Sequence, residues 1–331
     1  MYEPSKYKDY IYSGKLGGRI SDYIAEKRAS GCLYNTEAKK LGEFSRMSLG
    51  FEFPDGTLTQ EVVQAWIKRR DNDADKTVYS RFGVIKGFAE YLRRQGLDAF
   101  VPSSADLPKL NTHGYVPHIF THEEILRFFA VYGNSVSTGC RSAYTERFRA
   151  MMRMVFELLY CCGLRVSEAI GLTINDVDFG SNVLTIRFAK FEKSRYVPMA
   201  ADLADDLAAY VSTYVHEPCL FPGNKGQHLA GKSVYEEFRR VLFLAGIPHH
   251  GRGRGPRVHD FRHTFACHCL QKWIRSGTPV SSALPRLSTY LGHNDMAATE
   301  KYLRMAAEVY PEISEKLSKD YGHLIPLEVQ Q

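Results

Sequence analysis

The segment Cys162-Gly163-Leu164-Arg165-Val166-Ser167-Glu168-Ala169-Ile170-Gly171-Leu172 links two predicted helices in the middle of the sequence. Apolar residues recur just before it at intervals of 4, 3 and 4 positions, which predicts a helix with one buried face: Met151, Val155, Leu158 and Cys162. A glycine such as Gly163 commonly ends a helix, and Ser167 and Glu168 favour the start of another short one. Arg165 therefore stands at a helix junction, where it forms either a weak surface pair with Glu168 or part of a functional site.

Residues 1–100 are predicted to form a separate helical domain. Helical spacing of apolar residues extends over four of its segments: 18–29, 35–48, 59–69 and 79–96. Residues 101–120 contain three prolines, and because proline stiffens and extends a chain, this stretch is interpreted as a linker. The second domain is then expected over residues 121–331.

The second domain is predicted to combine helices with a small sheet. Leu184, Ile186 and Phe188 alternate with other residues as in a strand, and residues 195–199 suggest a return strand after a hairpin turn at about 190–194. Apolar periodicity predicts helices over four later segments: 235–245, 260–273, 284–291 and 296–307. A C-terminal tail helix is expected from about residue 303. The predicted fold class is mostly α with a small antiparallel β-sheet.

Composition and charge limit the functions that this chain can have. Of 331 residues, 43 are Lys or Arg and 37 are Asp or Glu, so the net charge of +6 permits a polyanionic partner without requiring one. No membrane span of about 20 apolar residues and no export signal is predicted. The seven cysteines are odd in number and lack C-x-x-C spacing, so they are interpreted as reduced thiols. A cytoplasmic protein is therefore expected.

Residues 226–233 match the pattern G-x-x-x-x-G-K-[ST] of phosphate-binding loops in nucleotide hydrolases. Such a loop needs a buried strand before it and a helix after it whose N-terminal amides face the phosphates. Residues 221–225 read as a turn instead of a strand end. The match is therefore interpreted as a surface loop capped by Ser233 at a helix start, and nucleotide hydrolysis is disfavoured.

Residues 258–266 form a second segment with polar groups. His259 and Arg262 are three positions apart, so they share one face of a predicted helix. His259 and His263 are four apart and could share a metal ion. However, no glutamate stands between them as in H-E-x-x-H, and Arg262 would place a positive charge beside the ion. No metal site is therefore predicted.

Residues 291–302 form a third segment, in which Gly292 ends one helix and His293 and Tyr302 follow. Together the three segments supply two arginines, two histidines and a tyrosine, a set suited to an anionic phosphodiester. Arginine binds phosphate oxygens through two parallel hydrogen bonds and stays charged. A phenol becomes a nucleophile when a neighbour takes its proton and cations stabilise the charge that develops.

The order of these motifs resembles that of the tyrosine recombinase (phage integrase) family. The chain matches the family's R-x-x-E, H-x-x-R, L-G-H and final Y in sequence: Arg165 and Glu168, His259 and Arg262, Leu291 to His293, and Tyr302. The predicted hairpin at 183–199 is also similar, with Lys190 near its turn. The resemblance covers the second domain as an α+β catalytic domain, and residues 1–100 are similar to the family's helical core-binding domain.

The resemblance implies a role for each matching residue. Tyr302 would attack the scissile phosphate and form a 3′-phosphotyrosyl bond. Arg165 and Arg262 would grip the non-bridging oxygens, and His293 would hydrogen-bond the phosphate. His259 would act first as general base and then as general acid for the tyrosine proton. No cofactor, metal or nucleotide is implied.

Further residues are implied around this set. Lys190 would protonate the leaving 5′-oxygen, with Lys193 as the alternative acid. Glu168 would orient neighbouring groups of the site. Basic residues of the hairpin, Lys193 and Arg195, would contact DNA. The loop before the second segment carries more basic residues than the chemistry requires: Arg252, Arg254 and Arg257. It forms either a solvated loop or a phosphate contact beside the site, and the phosphate contact is favoured.

The resemblance also implies partners. The protein would act on double-stranded DNA at specific recombination sites, as a homo-tetramer of four protomers on two sites that exchanges strands through a four-way junction. An accessory protein that bends DNA or sets direction is a further candidate partner. The tail would dock either on its own domain or on a neighbouring protomer. A type IB-like topoisomerase and a catalytically silent DNA-binding regulator of the same fold remain alternatives.

Overall fold

The computed structural model describes residues 7–321, with gaps at residues 72, 108–114, 134–142, 188–193, 217, 224–226, 252–254 and 294. The chain divides into two compact units, Met1–Gly114 and Tyr115–Gln331. Within the described residues, none of the helices combines the length and the apolar character that crossing a bilayer demands.

The first unit is helical, as predicted. Its described residues form four α-helices and one short 3₁₀ turn: α1 (Gly17–Ala29), α2 (Asn35–Ser48), α3 (Gln60–Ile67), α4 (Asp75–Arg94) and the turn Ser104–Asp106. Their apolar faces meet in one core, in which the rings of Phe44 and Trp66 lie 5.6 Å apart, edge to face. Helix α4 begins at Asp75 instead of residue 79.

The second unit is also mainly helical. Its described residues form nine further α-helices: α5 (His122–Gly133), α6 (Ala143–Cys161), α7 (Val166–Ile170), α8 (Ala201–Tyr214), α9 (Gly231–Leu244), α10 (Asp260–Arg275), α11 (Val280–Leu291), α12 (Ala297–Val309) and α13 (Pro311–Tyr321). Helix α5 begins with a reciprocal cap. The Glu124 amide donates to Thr121 Oγ1 at 3.1 Å, and the Thr121 amide donates to Glu124 Oε2 at 2.9 Å.

The sheet has three antiparallel strands in the order β1 (Val177–Asp178), β2 (Val183–Ile186) and β3 (Arg195–Pro198). Leu184 lies opposite Val197, and both side chains are buried. The predicted strand pair is therefore confirmed in its described part, while β1 was not predicted. Phe188 and the expected hairpin turn lie outside the described residues. The fold class, mostly α with a small antiparallel sheet, is confirmed.

Helix α10 lies at the centre of the second unit, where it contacts α6, α11, α12 and α13. Phe261, at its start, packs into a cluster of buried aromatic rings: Phe120, Phe128, Phe156 and Phe238. Arg262 follows directly and is buried as well. This packing holds the first turn of α10 rigidly, so the polar groups of that turn have fixed positions.

The C-terminal tail differs from the prediction. Residues 303–309 continue α12, and a separate helix, α13, begins at Pro311. Proline suits the first position of a helix because its missing N–H needs no partner there. Ile313 is fully buried, and Glu312 accepts hydrogen bonds from Gln271 and Arg275 of α10. Within this single chain the described part of the tail packs on its own unit.

Candidate active site

Arg165 lies at the start of α7, just after the turn that ends α6. Gly163 forms this turn with a φ of 58°, a conformation that glycine adopts without strain. The Arg165 amide donates to Glu168 Oε2 at 2.9 Å, and its guanidinium donates to Glu168 Oε1 at 2.7 Å. The Arg165 side chain remains 26% exposed. The guanidinium of Arg165, at the start of this short helix, is therefore partly accessible to solvent.

Arg262 is only 1% exposed and joins the ends of two helices. Its Nη1 donates to the Gly163 carbonyl at 2.6 Å, and its Nη2 donates to the Leu291 carbonyl at 2.7 Å. Burial lowers the pKa of Arg262 to about 10, so it is still charged at neutral pH. The two hydrogen bonds of Arg262 thus hold the turn after α6 next to the turn after α11.

His293 follows Gly292, which ends α11 in the left-handed region with a φ of 67°. Nη2 of Arg262 also donates to His293 Nε2 at 3.2 Å. Because arginine can only donate, Nε2 is the acceptor, and Nδ1 carries the proton that it donates to Thr299 Oγ1 at 2.8 Å. Burial, followed by the charge of Arg262, lowers the pKa of His293 to about 4. The ring is therefore neutral at pH 7.

Tyr302 lies in α12 with 5% of its surface exposed. Its ring stacks on that of His293 with 5.6 Å between the centroids and 15° between the planes. Burial raises the pKa of Tyr302, and the charge and hydrogen bond of Arg262 oppose this rise. The resting side chain is therefore a neutral phenol with a cation beside it.

Two histidines at the start of α10 complete the cluster. The ring of His263 lies 4.9 Å from that of His259 and 5.4 Å from that of Tyr302. His259 keeps an exposed side, while desolvation by its neighbours, followed by the charge of Arg262, lowers its pKa; desolvation lowers the pKa of His263 to about 4. His263 Nδ1 is buried and has no hydrogen-bond partner among the described residues. Sequence reasoning considered His263 only as a metal ligand, although its place directly after Arg262 could have indicated the site.

The metal alternative finds no support in the part of the chain that the structure describes. There, no group of three or more His, Cys, Asp or Glu side chains is arranged to hold a metal ion. His263 instead packs between two rings of the cluster.

Arg195, which the sequence predicts as a DNA contact, is nearly buried and bonded to other residues of the second unit. Its side chain is only 10% exposed. Nη1 and Nη2 donate to the two carboxylate oxygens of Glu168 at 3.0 and 2.9 Å, and Nε donates to the Tyr290 carbonyl at 2.9 Å. Although burial opposes it, the bonds from Arg195 and Arg165 lower the pKa of Glu168 to about 2. These contacts use three of the five N–H donors of the guanidinium, and the contact of Arg195 with DNA stays a prediction.

Four other predicted residues lie outside the described residues: Lys190, Lys193, Arg252 and Arg254. Arg257 is described and exposed. Its guanidinium lies 3.4 Å from the centroid of the Tyr115 ring, a cation–π contact. Its contact with DNA stays a prediction.

The stretch that resembles a phosphate-binding loop has a different structure. No strand leads into it among the described residues, where Pro222 and His228 form only an isolated bridge. Helix α9 begins at Gly231 after Ala230, so Ser233 lies within the first turn and is not the cap that was expected. The Lys232 side chain is exposed and pairs with Glu236 at 3.5 Å. The nucleotide-hydrolase alternative is therefore not supported.

Comparison with known proteins identifies relatives along most of the chain. The model of the phage integrase family matches residues 120–308. A putative integrase/recombinase of Sinorhizobium fredii is 29% identical and covers 91% of this chain and 96% of its own length. The tyrosine recombinase XerD of Pseudomonas aeruginosa is also 29% identical, over 73% of this chain and 75% of its own.

Solved structures show the same fold. The XerH site-specific recombinase bound to a palindromic difH substrate has a TM-score of 0.61 at 18% identity, covering 90% of this chain and 83% of its own. The Tn1549 transposon integrase in complex with transposon right-end DNA has a TM-score of 0.60 at 17% identity, covering 86% and 94%. The family match spans every described residue of the site, from Arg165 to Tyr302. The chain therefore belongs to the phage integrase family, that of the tyrosine recombinases.

Proposed function

We propose that this protein is a site-specific DNA recombinase that cuts and rejoins strands through a 3′-phosphotyrosyl intermediate on Tyr302. The observation that carries the proposal is the close packing of three groups, from the first turn of α10, the turn after α11 and the middle of α12. The Tyr302 ring stacks on His293, and Arg262 donates to His293 Nε2 at 3.2 Å. A nucleophile, a fixed cation and an imidazole in one cluster suit a phosphodiester substrate.

In the cleavage step, the Tyr302 hydroxyl oxygen attacks the scissile phosphorus and the bond from phosphorus to the 5′-oxygen breaks. The 3′-phosphate is then esterified to the tyrosine, and the 5′-oxygen leaves with a proton from Lys190 or, as the alternative, Lys193. Arg165 and Arg262 stabilise the charge on the non-bridging oxygens. Rejoining is the reverse attack by a 5′-hydroxyl, which needs no added energy because the phosphodiester is conserved.

The proton of Tyr302 needs an acceptor that is neutral at the working pH. Desolvation and Arg262 lower the pKa of His259, so this ring is unprotonated at pH 7 and suited to act as general base. The ring of His263 lies between those of His259 and Tyr302, 4.9 and 5.4 Å from them. Both rings thus contact His263, which places His259 and Tyr302 in the same cluster.

The substrate is double-stranded DNA at specific sites, and the net charge of +6 favours contact with its phosphates. In this proposal residues 1–100 form the core-binding domain, 101–120 the linker and 121–331 the catalytic domain, so that two domains clamp the duplex. Recombination would use a homo-tetramer on two sites, one strand pair at a time, through a four-way junction. An accessory DNA-bending or directionality protein would act with it, in the cytoplasm at the nucleoid.

Covalent trapping tests the proposal. DNA that flanks the protein's own gene, nicked to form suicide substrates, is incubated with the protein without metal or ATP. We expect a denaturant-resistant protein–DNA band with the native protein and none with Tyr302→Phe. Tyr310→Phe is the matched control, because Tyr310 follows the same helix but lies outside the cluster, and it should retain the band.

Three results would contradict the proposal. A band that persists in Tyr302→Phe would exclude this nucleophile. Site-specific DNA binding without any band would favour a silent regulator. Relaxation of a supercoiled plasmid that lacks the site would favour a type IB-like topoisomerase.

A further inference from the structure

The guanidinium of Arg195 lies where three elements of the second unit meet. Arg195 is the first residue of β3. Its two Nη atoms donate hydrogen bonds to both carboxylate oxygens of Glu168 on α7, at 3.0 and 2.9 Å. Its Nε holds the Tyr290 carbonyl of α11 at 2.9 Å. This parallel two-bond pairing with a carboxylate is the most directional that arginine can make. Arg195 therefore defines the relative position of a strand and two helices.

The end of α11 depends on two arginines. The last carbonyls of a helix lack partners within the helix and need donors from elsewhere. The Tyr290 carbonyl accepts from Arg195, and the next carbonyl, that of Leu291, accepts from Arg262. A Cβ on Gly292 would lie 3.0 Å from Arg195 Cδ, so Arg195 packs directly under the turn that leads to His293.

Glu168 is shared between two arginines. Its Oε1 accepts from Arg165 at 2.7 Å and from Arg195 at 3.0 Å, while its Oε2 accepts from Arg195 at 2.9 Å. The carboxylate is nearly buried, with 6% of the side chain exposed. Without Arg195, it would lose two of its bonds and rotate toward Arg165, the other side-chain cation that bonds to it among the described residues. The direction of the Arg165 guanidinium therefore depends on Arg195.

We propose that Arg195 is a positioning residue for strand cleavage, which orients Arg165 through Glu168 and orients His293 through the end of α11. This inference rests on the proposed function of the site. It differs from the DNA contact expected from the sequence, because the three N–H donors described here reach protein partners. Arg195 stands two positions after Lys193, so it also ties the strand after Lys190 and Lys193 to Arg165 through Glu168.

The test uses Arg195→Lys in the full chain with the suicide substrate. Lysine keeps the charge but is a point donor that cannot hold a carboxylate and a carbonyl in one plane. We expect the single-turnover rate of adduct formation to fall about 100-fold, the scale of a small misplacement of catalytic groups. The affinity for the same DNA in a binding gel should stay within about threefold, because no phosphate contact is removed.

The matched control is Arg187→Lys. Arg187 follows β2 of the same sheet, is half exposed, and pairs with Asp176 instead of Glu168. It should cleave at the native rate. If Arg195→Lys does not fold, as judged by thermal unfolding, Arg195→Gln is the second variant, because its amide still donates to one of the two partners without a charge.

A double-mutant cycle with Glu168→Gln separates positioning from general stability. If Arg195 acts through Glu168, the double variant should be no slower than the slower single variant. The inference would be overturned if the rate losses of the two single variants multiplied in the double variant. It would also be overturned if Arg195→Lys cleaved at the native rate, or if its loss of DNA affinity equalled its loss of rate. A native protein that forms no Tyr302-dependent adduct would instead refute the proposed function itself, so the two failures are distinguishable.

Discussion

Arg165 and Arg262 are expected to have the same chemical task but different importance for the fold. Arg262→Ala would leave two carbonyls of the buried site, those of Gly163 and Leu291, without donors. At about 1–3 kcal/mol for each, the free energy of unfolding should fall by about 2–6 kcal/mol. Arg165→Ala should cost about 1 kcal/mol or less, because this side chain is partly exposed. Both variants should lose cleavage by at least about 100-fold.

Urea unfolding of the two variants, measured beside adduct formation, checks this difference. If Arg262→Ala and Arg165→Ala lost equal free energy of unfolding, the hydrogen bonds of Arg262 to the two helix ends would not stabilise the fold as described. A cleavage-competent Arg165→Ala would remove that residue from the proposed phosphate contacts.

At this scale the sequence motifs identified most of the cluster, because Arg262, His293 and Tyr302 do lie together. The burial of Arg195 was not predicted, since spacing in a hairpin does not reveal which cations are buried. His263 was missed for a related reason. Its place after Arg262 indicates the site, but its proximity to Tyr302 depends on how α12 packs on α10 and not on a local pattern.

The turn between α6 and α7 is an element whose shape depends on one glycine. Gly163 has a φ of 58°, and a Cβ there would lie 2.4 Å from Cδ1 of Phe265. Gly163→Ala should therefore lower the free energy of unfolding by about 3 kcal/mol or more, combining backbone strain with overpacking. Gly96→Ala is the control, because Gly96 has a similar φ of 75° but open space around it. It should cost only about 1–2 kcal/mol.

The comparison is made by urea unfolding of each variant with the same probe. If Phe265 causes the excess cost, Gly163→Ala combined with Phe265→Ala should cost less than the sum of the two single changes. A Gly163→Ala variant as stable as Gly96→Ala would contradict the close approach.

Helices with long apolar periodicity, such as α2 and α4, were predicted to within a few residues. The residues at which elements begin and end were harder to predict. The single tail helix failed because the apolar spacing continues through Pro311, whereas the backbone breaks at Tyr310 before α13 begins. Helix α8 carries buried Leu203, Leu207 and Tyr210 at helical spacing, yet it was not predicted. Its sequence starts three positions after Pro198, the last residue of β3, so a strand pattern gives way to a helical one within a few residues.

For the second unit as a whole, three histidines make stability depend on pH. Burial is the main cause that lowers the pKa of each to about 4: His263, His268 and His293. In the unfolded chain they titrate near pH 6.5. Between these values the unfolded state binds protons that the native state does not, so stability is complete above about pH 6.5 and falls as the pH decreases toward about 4. Each histidine contributes a slope of at most about 1.4 kcal/mol per pH unit.

Urea unfolding at a series of pH values between about 7 and 5 measures this slope. His293→Gln should reduce this slope by up to about 1.4 kcal/mol per pH unit, the contribution of one proton, because glutamine does not titrate. A free energy of unfolding that is constant over this range would show that the three rings are not held neutral by the fold.

Cys267 lies at the contact between α10 and α12, so its reactivity can report on that contact. Its Sγ lies 3.8 Å from the backbone carbonyl oxygen of Tyr302, and burial raises its pKa to about 12. Alkylating reagents attack the exposed thiolate, so they reach this sulfur only when α12 separates from α10. The labelling rate of Cys267, relative to that of the exposed Cys32, therefore reports how often the helix that carries the nucleophile opens in the absence of DNA.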